Sequence, residues 1–300
     1  MVDCIRTVSA DLPLRAVTEH ILRRADLGTP GAALIDAAGG TVITWPRLAR
    51  TIRAAARGLR RRGLAAGDAA GVLVDDAVSH AVAVHSIRSA GGIALPACAA
   101  AGAAGVAGRL GAGRARLLIT AAPLAGLAAE AAERSWVRQV FAFGEAAGTT
   151  PFRALTEAAG DSPAHGESPA PPDSPAPAQS RAPGHAVARE ASCDLAEALR
   201  DLAGLAGRGP GLRGGDVLVA APPCGDPDVY TWLLDLAAVG GATIVAAPLP
   251  QVSAAVRAHR GTAALVPRGT RVRGLAPGRV FALGWPAAGL TGGRAGRRQG

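Results

Sequence analysis

Between Ile43 and Pro96 the apolar positions change period three times. Leu48, Ile52, Ala55, Ala56 and Leu59 recur at spacings of three and four. Arg47, Arg50, Arg53, Arg57, Arg60 and Arg61 take the opposite side. That pattern predicts an amphipathic helix with Thr44 as its N-cap, Pro46 in its first turn and Gly63 at its close. Gly67-Asp68 turns the chain into the apolar run Gly71 to Val74. Residues Ala77 to Ala90 read as a mostly apolar helix, ended by Gly91-Gly92 and followed by a strand at Ile93-Ala94-Leu95. Strands alternating with helices of this length predict parallel βαβ units.

The same succession returns about 150 residues later. Leu195 to Arg200 echoes Leu48 to Arg53, Gly215-Asp216 echoes Gly67-Asp68, Gly240-Gly241 echoes Gly91-Gly92, and Pro248 echoes Pro96. Two copies predict two similar α/β halves side by side, not a solenoid. Ahead of the first half, Ala16 to Ala25 fits a short helix, and Ala32–Asp36 with Thr41–Thr44 fits a hairpin turning at Gly39-Gly40. Further strands are expected at Arg116–Thr120, Gln139–Phe143, Val217–Ala221, Thr243–Ala246, Ala263–Val266 and Val280–Leu283. The fold class is therefore α/β, with two pseudo-symmetric βαβ-type subdomains and mostly parallel sheets.

One stretch breaks the pattern. From Gly160 to Glu190 the chain is dense in Pro, Ser and Ala, without periodicity or large apolar residues. Such a segment cannot offset the entropy of ordering itself and is expected to be a disordered linker. The expected organisation is a first subdomain over 1–159, the linker over 160–190, a second subdomain over 191–285 and a flexible Gly/Arg-rich tail over 286–300.

Composition changes this picture little. The 300 residues contain no Lys and no Asn, so all 32 cationic side chains behind the net charge of +9 are Arg. The cations are not interleaved with aromatics, so no nucleic-acid partner is expected. No apolar run reaches spanning length without Gly, Pro or charge, so neither is a membrane. Cys4, Cys98, Cys193 and Cys224 lie too far apart for zinc or a disulfide framework. Asp3, Asp11 and Arg15 interrupt any leader-like stretch. A cytoplasmic protein with reduced thiols is the expectation.

Chemistry-bearing residues are few. Asp75-Asp76 follows a strand and reads as a helix-start pair. His80 and His85 are five apart, which is not the i, i+4 spacing of two ligands on one helix face, so no metal site is expected. Gly209 to Gly214 satisfies GxGxxG but precedes a strand, the reverse of the dinucleotide fingerprint, and reads as a loop. Gly148-Thr149-Thr150-Pro151 only superficially echoes a phosphate loop.

Taken together, several segments resemble the adenylate-forming superfamily, in particular acyl-CoA synthetases of the 4-coumarate–CoA ligase type. They include Ala33 to Asp36, Arg62-Gly63-Leu64 with Gly67-Asp68, Ala90-Gly91-Gly92, and Ala115 to Thr120. Val140 to Glu145, Gly215 to Leu218 and Ala238 to Val245 add to the likeness, which covers roughly residues 30 to 285. The resemblance implies ATP-dependent activation of a carboxylic acid to an acyl adenylate and then an acyl-CoA, with ATP, Mg and CoA as the family's small molecules. It also implies a Gly/Ser/Thr-rich phosphate loop ending in Lys, just before the helix that here begins near Cys193. The Pro/Ser stretch stands there instead, and no Lys exists to serve. The family's nucleotide-holding Tyr-Gly-x-Thr-Glu segment and its small C-terminal domain are not found.

These departures lead to an expectation of a truncated, degenerate ligase-like protein without independent catalysis, with no catalytic residue, no metal and no cofactor assigned. The family's substrate pocket would begin at Cys224, Asp226 and Tyr230, which are the weak substrate-binding candidates. The alternatives are an interaction module that docks an intact synthetase or another protein chain, and a non-catalytic nucleotide- or CoA-binding protein.

Overall fold

The computed structural model describes residues 14–28, 31–157, 212–222 and 227–283. The linker expected over 160–190, the helix expected near Cys193 and the tail expected over 286–300 lie outside the described residues. In chain order the elements are α1 (Leu14–Asp26), β1 (Ala32–Asp36), β2 (Val42–Thr44), α2 (Trp45–Arg61), β3 (Ala69–Leu73), α3 (Ala77–Ala90) and β4 (Ile93–Pro96). Then come α4 (Gly102–Ala112), β5 (Leu117–Ala121), α5 (Ala125–Glu133), β6 (Gln139–Phe143), β7 (Thr150–Pro151) and α6 (Arg153–Thr156). The last group is β8 (Val217–Ala220), α7 (Pro227–Gly240), β9 (Thr243–Ala246), α8 (Val252–Ala258), β10 (Ala263–Pro267) and β11 (Val280–Leu283).

The strands form two sheets. The first has the order β4-β3-β5-β6-β7 and is parallel throughout. The second has the order β11-β10-β8-β9-β1-β2 and is parallel except at the β1–β2 hairpin. Strands β4-β3-β5-β6 and β9-β8-β10-β11 thus repeat one order, and the α/β class with mostly parallel sheets follows.

The repetition extends to single bonds. Asp68 Oδ2 accepts from the Ala65 amide at 3.0 Å, and Asp216 Oδ2 from the Arg213 amide at 2.7 Å, closing the same turn before β3 and β8. The carbonyls of the same two aspartates accept from Ile93 and Thr243, the first residues of β4 and β9. Gly91 and Gly241 hold φ of +93° and +79° where α3 and α7 end, a conformation that costs glycine little. The echo is therefore offset by one from the sequence reading: Gly91 matches Gly241, not Gly240. Pro96 and Pro248 are not equivalent either, because the Ala97 and Ala247 amides make the matching bonds to Val72 and Ala220.

The hairpin crosses the boundary expected at residue 159. Strand β1 pairs with β9, Leu34 opposite Ile244 and Asp36 opposite Ala246, so residues of the first half complete the second sheet. The physical reason is an uncovered edge: β9 lies outermost among the repeated strands, and β1 supplies its missing ladder partner.

Side chains alternate across each sheet with period two. Leu117 and Ile119 of β5 enter the central core, while Leu118 enters an outer cluster with Leu110, Ala128 and Val137. Leu218 and Ala220 of β8 point to the centre, and Val219 packs outward with Val252 and Val256. The result is five layers: α4 and α5, the first sheet, a middle layer of α1, α2, α3 and α7, the second sheet, and α8. Helix α3 is buried almost all round, as its apolar composition requires. Helix α2 begins after Thr44 with Pro46 in the first turn, but the Thr44 hydroxyl makes no capping bond. Helix α3 is capped by Asp76, whose Oδ1 accepts from the Ser79 amide at 2.7 Å, in keeping with a helix-start pair.

Close packing at α2 supplies a test. Gly58 lies against the backbone of Leu155 in α6, and an added Cβ would fall on that carbonyl. Gly58→Ala is expected to destabilise by about 1–3 kcal/mol despite alanine's better helix propensity. Gly108→Ala in α4, where nothing lies within 4 Å of the added carbon, is expected to stabilise by roughly 0.5–1 kcal/mol. Urea unfolding of both variants checks the pair of signs.

Candidate functional site

Helices α3 and α7 are counterparts in the two halves, and they meet in the middle layer. Each carries a few polar side chains in an otherwise apolar run: His80, His85 and Arg88 on α3, Thr231 and Asp235 on α7. All five are buried. Thr231 and Asp235 are one turn apart, so both face α3.

Arg88 Nη1 donates to Asp235 Oδ2 at 2.7 Å. The other oxygen, Asp235 Oδ1, lies 3.6 Å from His85 Nε2. On its far side His85 Nδ1 meets the hydroxyl of Thr18 in α1 at 3.0 Å. His80 Nε2 is 2.7 Å from Thr231 Oγ1. The single Thr231 hydroxyl proton goes to the Pro227 carbonyl at 2.8 Å, so His80 donates Nε2–H to Thr231. With Nε2–H of His85 directed at the carboxylate, Nδ1 accepts from Thr18. These contacts suit a neutral tautomer with the proton on Nε2 in each ring.

Burial lowers the pKa of both histidines. His80 is brought down to about 3, chiefly by desolvation and then by the nearby charges of Arg88 and His85. His85 is brought down to about 4, again chiefly by desolvation, with Asp235 opposing and Arg88 adding to the fall. Beside these residues is an internal void of about 10 Å³, walled by Leu34, Trp45, His80, His85, Thr231 and Asp235 among others. That is the room of a single water. A nucleotide does not fit there, and among the described residues no group of three or more His, Cys, Asp and Glu is placed to hold a metal ion. The arrangement clamps the two halves together.

Of the sequence candidates, Cys224 and Asp226 lie outside the described residues. Tyr230 is fully buried. Its hydroxyl donates to the Ala221 carbonyl at 2.9 Å, pinning the end of β8. Its ring meets His80 edge-on at 5.2 Å. Tyr230 therefore joins the seam. Asp76 is half-buried at the carboxyl end of β3, its pKa raised by desolvation, and its side chain is engaged as the helix cap. Gly148 to Pro151 forms a turn and the short edge strand β7, with Thr149 Oγ1 donating to the Ala146 carbonyl. Sequence reasoning missed Asp235. The available signal was one carboxylate inside an apolar helix whose counterpart held one arginine and two histidines.

A profile of the AMP-binding enzyme family matches residues 22–181. No curated protein matches the chain. Its fold is similar to that of a long-chain-fatty-acid-CoA ligase from Archaeoglobus fulgidus, at 14% identity and TM-score 0.60, over 84% of this chain and 51% of that one. It is similar to the N-terminal domain of FACL13 from Mycobacterium tuberculosis, at 17% identity and TM-score 0.60, over 84% and 63%. A third likeness is to apo MbtA from Mycobacterium smegmatis, at 23% identity and TM-score 0.60, over 86% and 48%. At these identities the likeness is one of fold. The chain spans about half to three fifths of the length of these structures.

The seam predicts both a mutational and a pH effect. Asp235→Asn leaves the Arg88 charge buried without a counter-ion and is expected to cost about 3–5 kcal/mol. The double variant Arg88→Met/Asp235→Leu is expected to recover most of that loss. Each histidine has a folded pKa below its unfolded 6.5, so its stabilising contribution is complete above that value. It is lost as pH falls from 6.5 toward about 4 and 3, at roughly 1.4 kcal/mol per histidine per pH unit. Chemical denaturation from pH 7.5 to 4.5 is expected to show that decline, and a His85→Gln variant a shallower one.

Proposed function

The chain belongs to the family of AMP-binding enzymes, and on that premise we propose that it is a ligase-like scaffold that does not by itself activate a carboxylic acid. The observation that carries this reading is the absence of lysine from all 300 residues. The family resemblance puts a lysine at the end of the phosphate loop, where a compact cation meets the leaving pyrophosphate. At the loop position this sequence has the run from Asp161 to Gly184, rich in Pro, Ser and Ala. Arginine is no simple replacement. Its planar fork is bulkier and less mobile than an ammonium, and it recognises phosphate by two parallel bonds instead of as a point charge.

The reaction of the resembled ligases joins a carboxylate to AMP with loss of pyrophosphate, then passes the acyl group to CoA. In this reading the chain keeps the two-sheet body in which that chemistry is housed elsewhere in the family, and lacks the phosphate grip. The Arg88–Asp235 pair and the histidines beside it support a structural role for the centre of the molecule, since all are consumed in holding α3 to α7. A role as a docking module for another protein chain is favoured by the arginine-rich outer face of α2.

Purified protein assayed for ATP–pyrophosphate exchange with a panel of aryl and fatty acids is expected to give no exchange above a protein-free control. Robust exchange with any acid overturns the proposal. Thermal-shift titration with ATP, AMP and CoA is expected to leave the midpoint unmoved, whereas a ligand present at 100 times its Kd would add about 2.7 kcal/mol.

A further inference from the structure

Helix α2 turns one face entirely inward, with Trp45, Leu48, Ile52 and Leu59 at most 3% exposed. Along its outward crest stand Arg47, Arg50, Ala54, Arg57 and Arg61. Their spacing is three, four, three and four, which at 100° per residue keeps them in one narrow strip about 21 Å long. The four arginines are exposed, and none pairs with a carboxylate among the described ion pairs. Arg61 Nη2 donates to the backbone carbonyl of Glu157 at 3.2 Å, a neutral acceptor that leaves its charge uncompensated. From Ala37 to Gly67 the sequence has no acidic residue at all.

Carboxylates border the strip on both flanks. On one side α1 contributes Asp26, 2.6 Å from Arg53. On the other, α6 packs against Gly58, and Arg153 there engages Glu145 at 2.9 Å. The positive track is thus narrow and flanked by ion pairs whose carboxylates are already matched by Arg53 and Arg153. We infer that this crest is a docking surface for an acidic α-helix of another protein, one carrying Asp or Glu at the same alternating three- and four-residue spacing.

The geometry selects that partner over other polyanions. A strict three–four strip is what one helix offers to a second lying along it, and Ala54 at its midpoint allows close approach. Helices α1 and α6 flank α2, so α2 cannot enter a duplex groove. The crest carries no aromatic side chain for base stacking and no apolar one for insertion into a bilayer. The inference stands whether or not the chain adenylates anything.

The test uses two fluorescein-labelled Ala-based helical peptides of equal composition. One carries Glu at alternating three- and four-residue spacing; the other distributes the same Glu around the helix. Fluorescence anisotropy with the full chain in low salt is expected to show the striped peptide binding at least tenfold more tightly than its isomer. The variant Arg50→Glu/Arg57→Glu/Arg61→Glu is expected to lose at least tenfold. The control Arg114→Glu/Arg116→Glu/Arg138→Glu, with the same charge change on other exposed arginines, is expected to stay within threefold. Both variants alter exposed side chains, and an unchanged thermal midpoint verifies their folding. Equal binding of the two peptides, equal loss in both variants, or no binding of the striped peptide overturns the inference. So does displacement of that peptide by a 20-base-pair DNA duplex, or by phosphatidylserine vesicles, at lower anion concentration than unlabelled striped peptide requires.

Discussion

A charged pair buried at the centre of the molecule constrains everything around it. Arg88 and Asp235 come from the two halves of the chain and meet where water is excluded. Either charge alone would be costly to keep there, so each half needs the other to be in place. The neighbouring histidines tighten the constraint. His80 is fixed through Thr231, and His85 stands between Asp235 and Thr18. An apolar interface would tolerate sliding of α3 against α7; a hydrogen-bonded one has a single register.

That register sets two copies of one architecture face to face. The turn aspartates Asp68 and Asp216 make the same bonds, and the left-handed glycines Gly91 and Gly241 end equivalent helices. The copies differ at their margins. The first sheet is extended beyond β6 by β7, and the second beyond β9 by the hairpin. The symmetry is therefore a property of the repeated core, and the outer strands make each half distinct.

Much of this was legible in the sequence. Helices α2 and α3 follow from their apolar period and their glycine stops, and the sheets from apolar runs bounded by Gly-Asp turns. The alternation of Leu117, Leu118 and Ile119 is that of a strand covered on both faces. What could not be read was partnership across distance. Nothing local says that β1 pairs with β9 instead of β3, since an edge is satisfied by any strand of suitable length. Tyr230 shows the same limit. Its ring meets His80 and its hydroxyl a backbone carbonyl, contacts that no local pattern announces. Asp235 was hidden because its neighbours in sequence are apolar, and its purpose appears only when α3 is laid beside α7.

The crossing of the hairpin has a consequence for how the chain comes to be folded. Leu34 waits for Ile244, a partner more than two hundred residues away. As the polypeptide leaves the ribosome, the first sheet has all of its own strands to hand, while β1 and β2 emerge early and remain without their neighbour until β8, α7 and β9 have been synthesised. During that interval an unpaired strand edge is open to wrong partners, which makes assembly of this molecule slow by topology and sensitive to chaperones in a way its compact final form conceals.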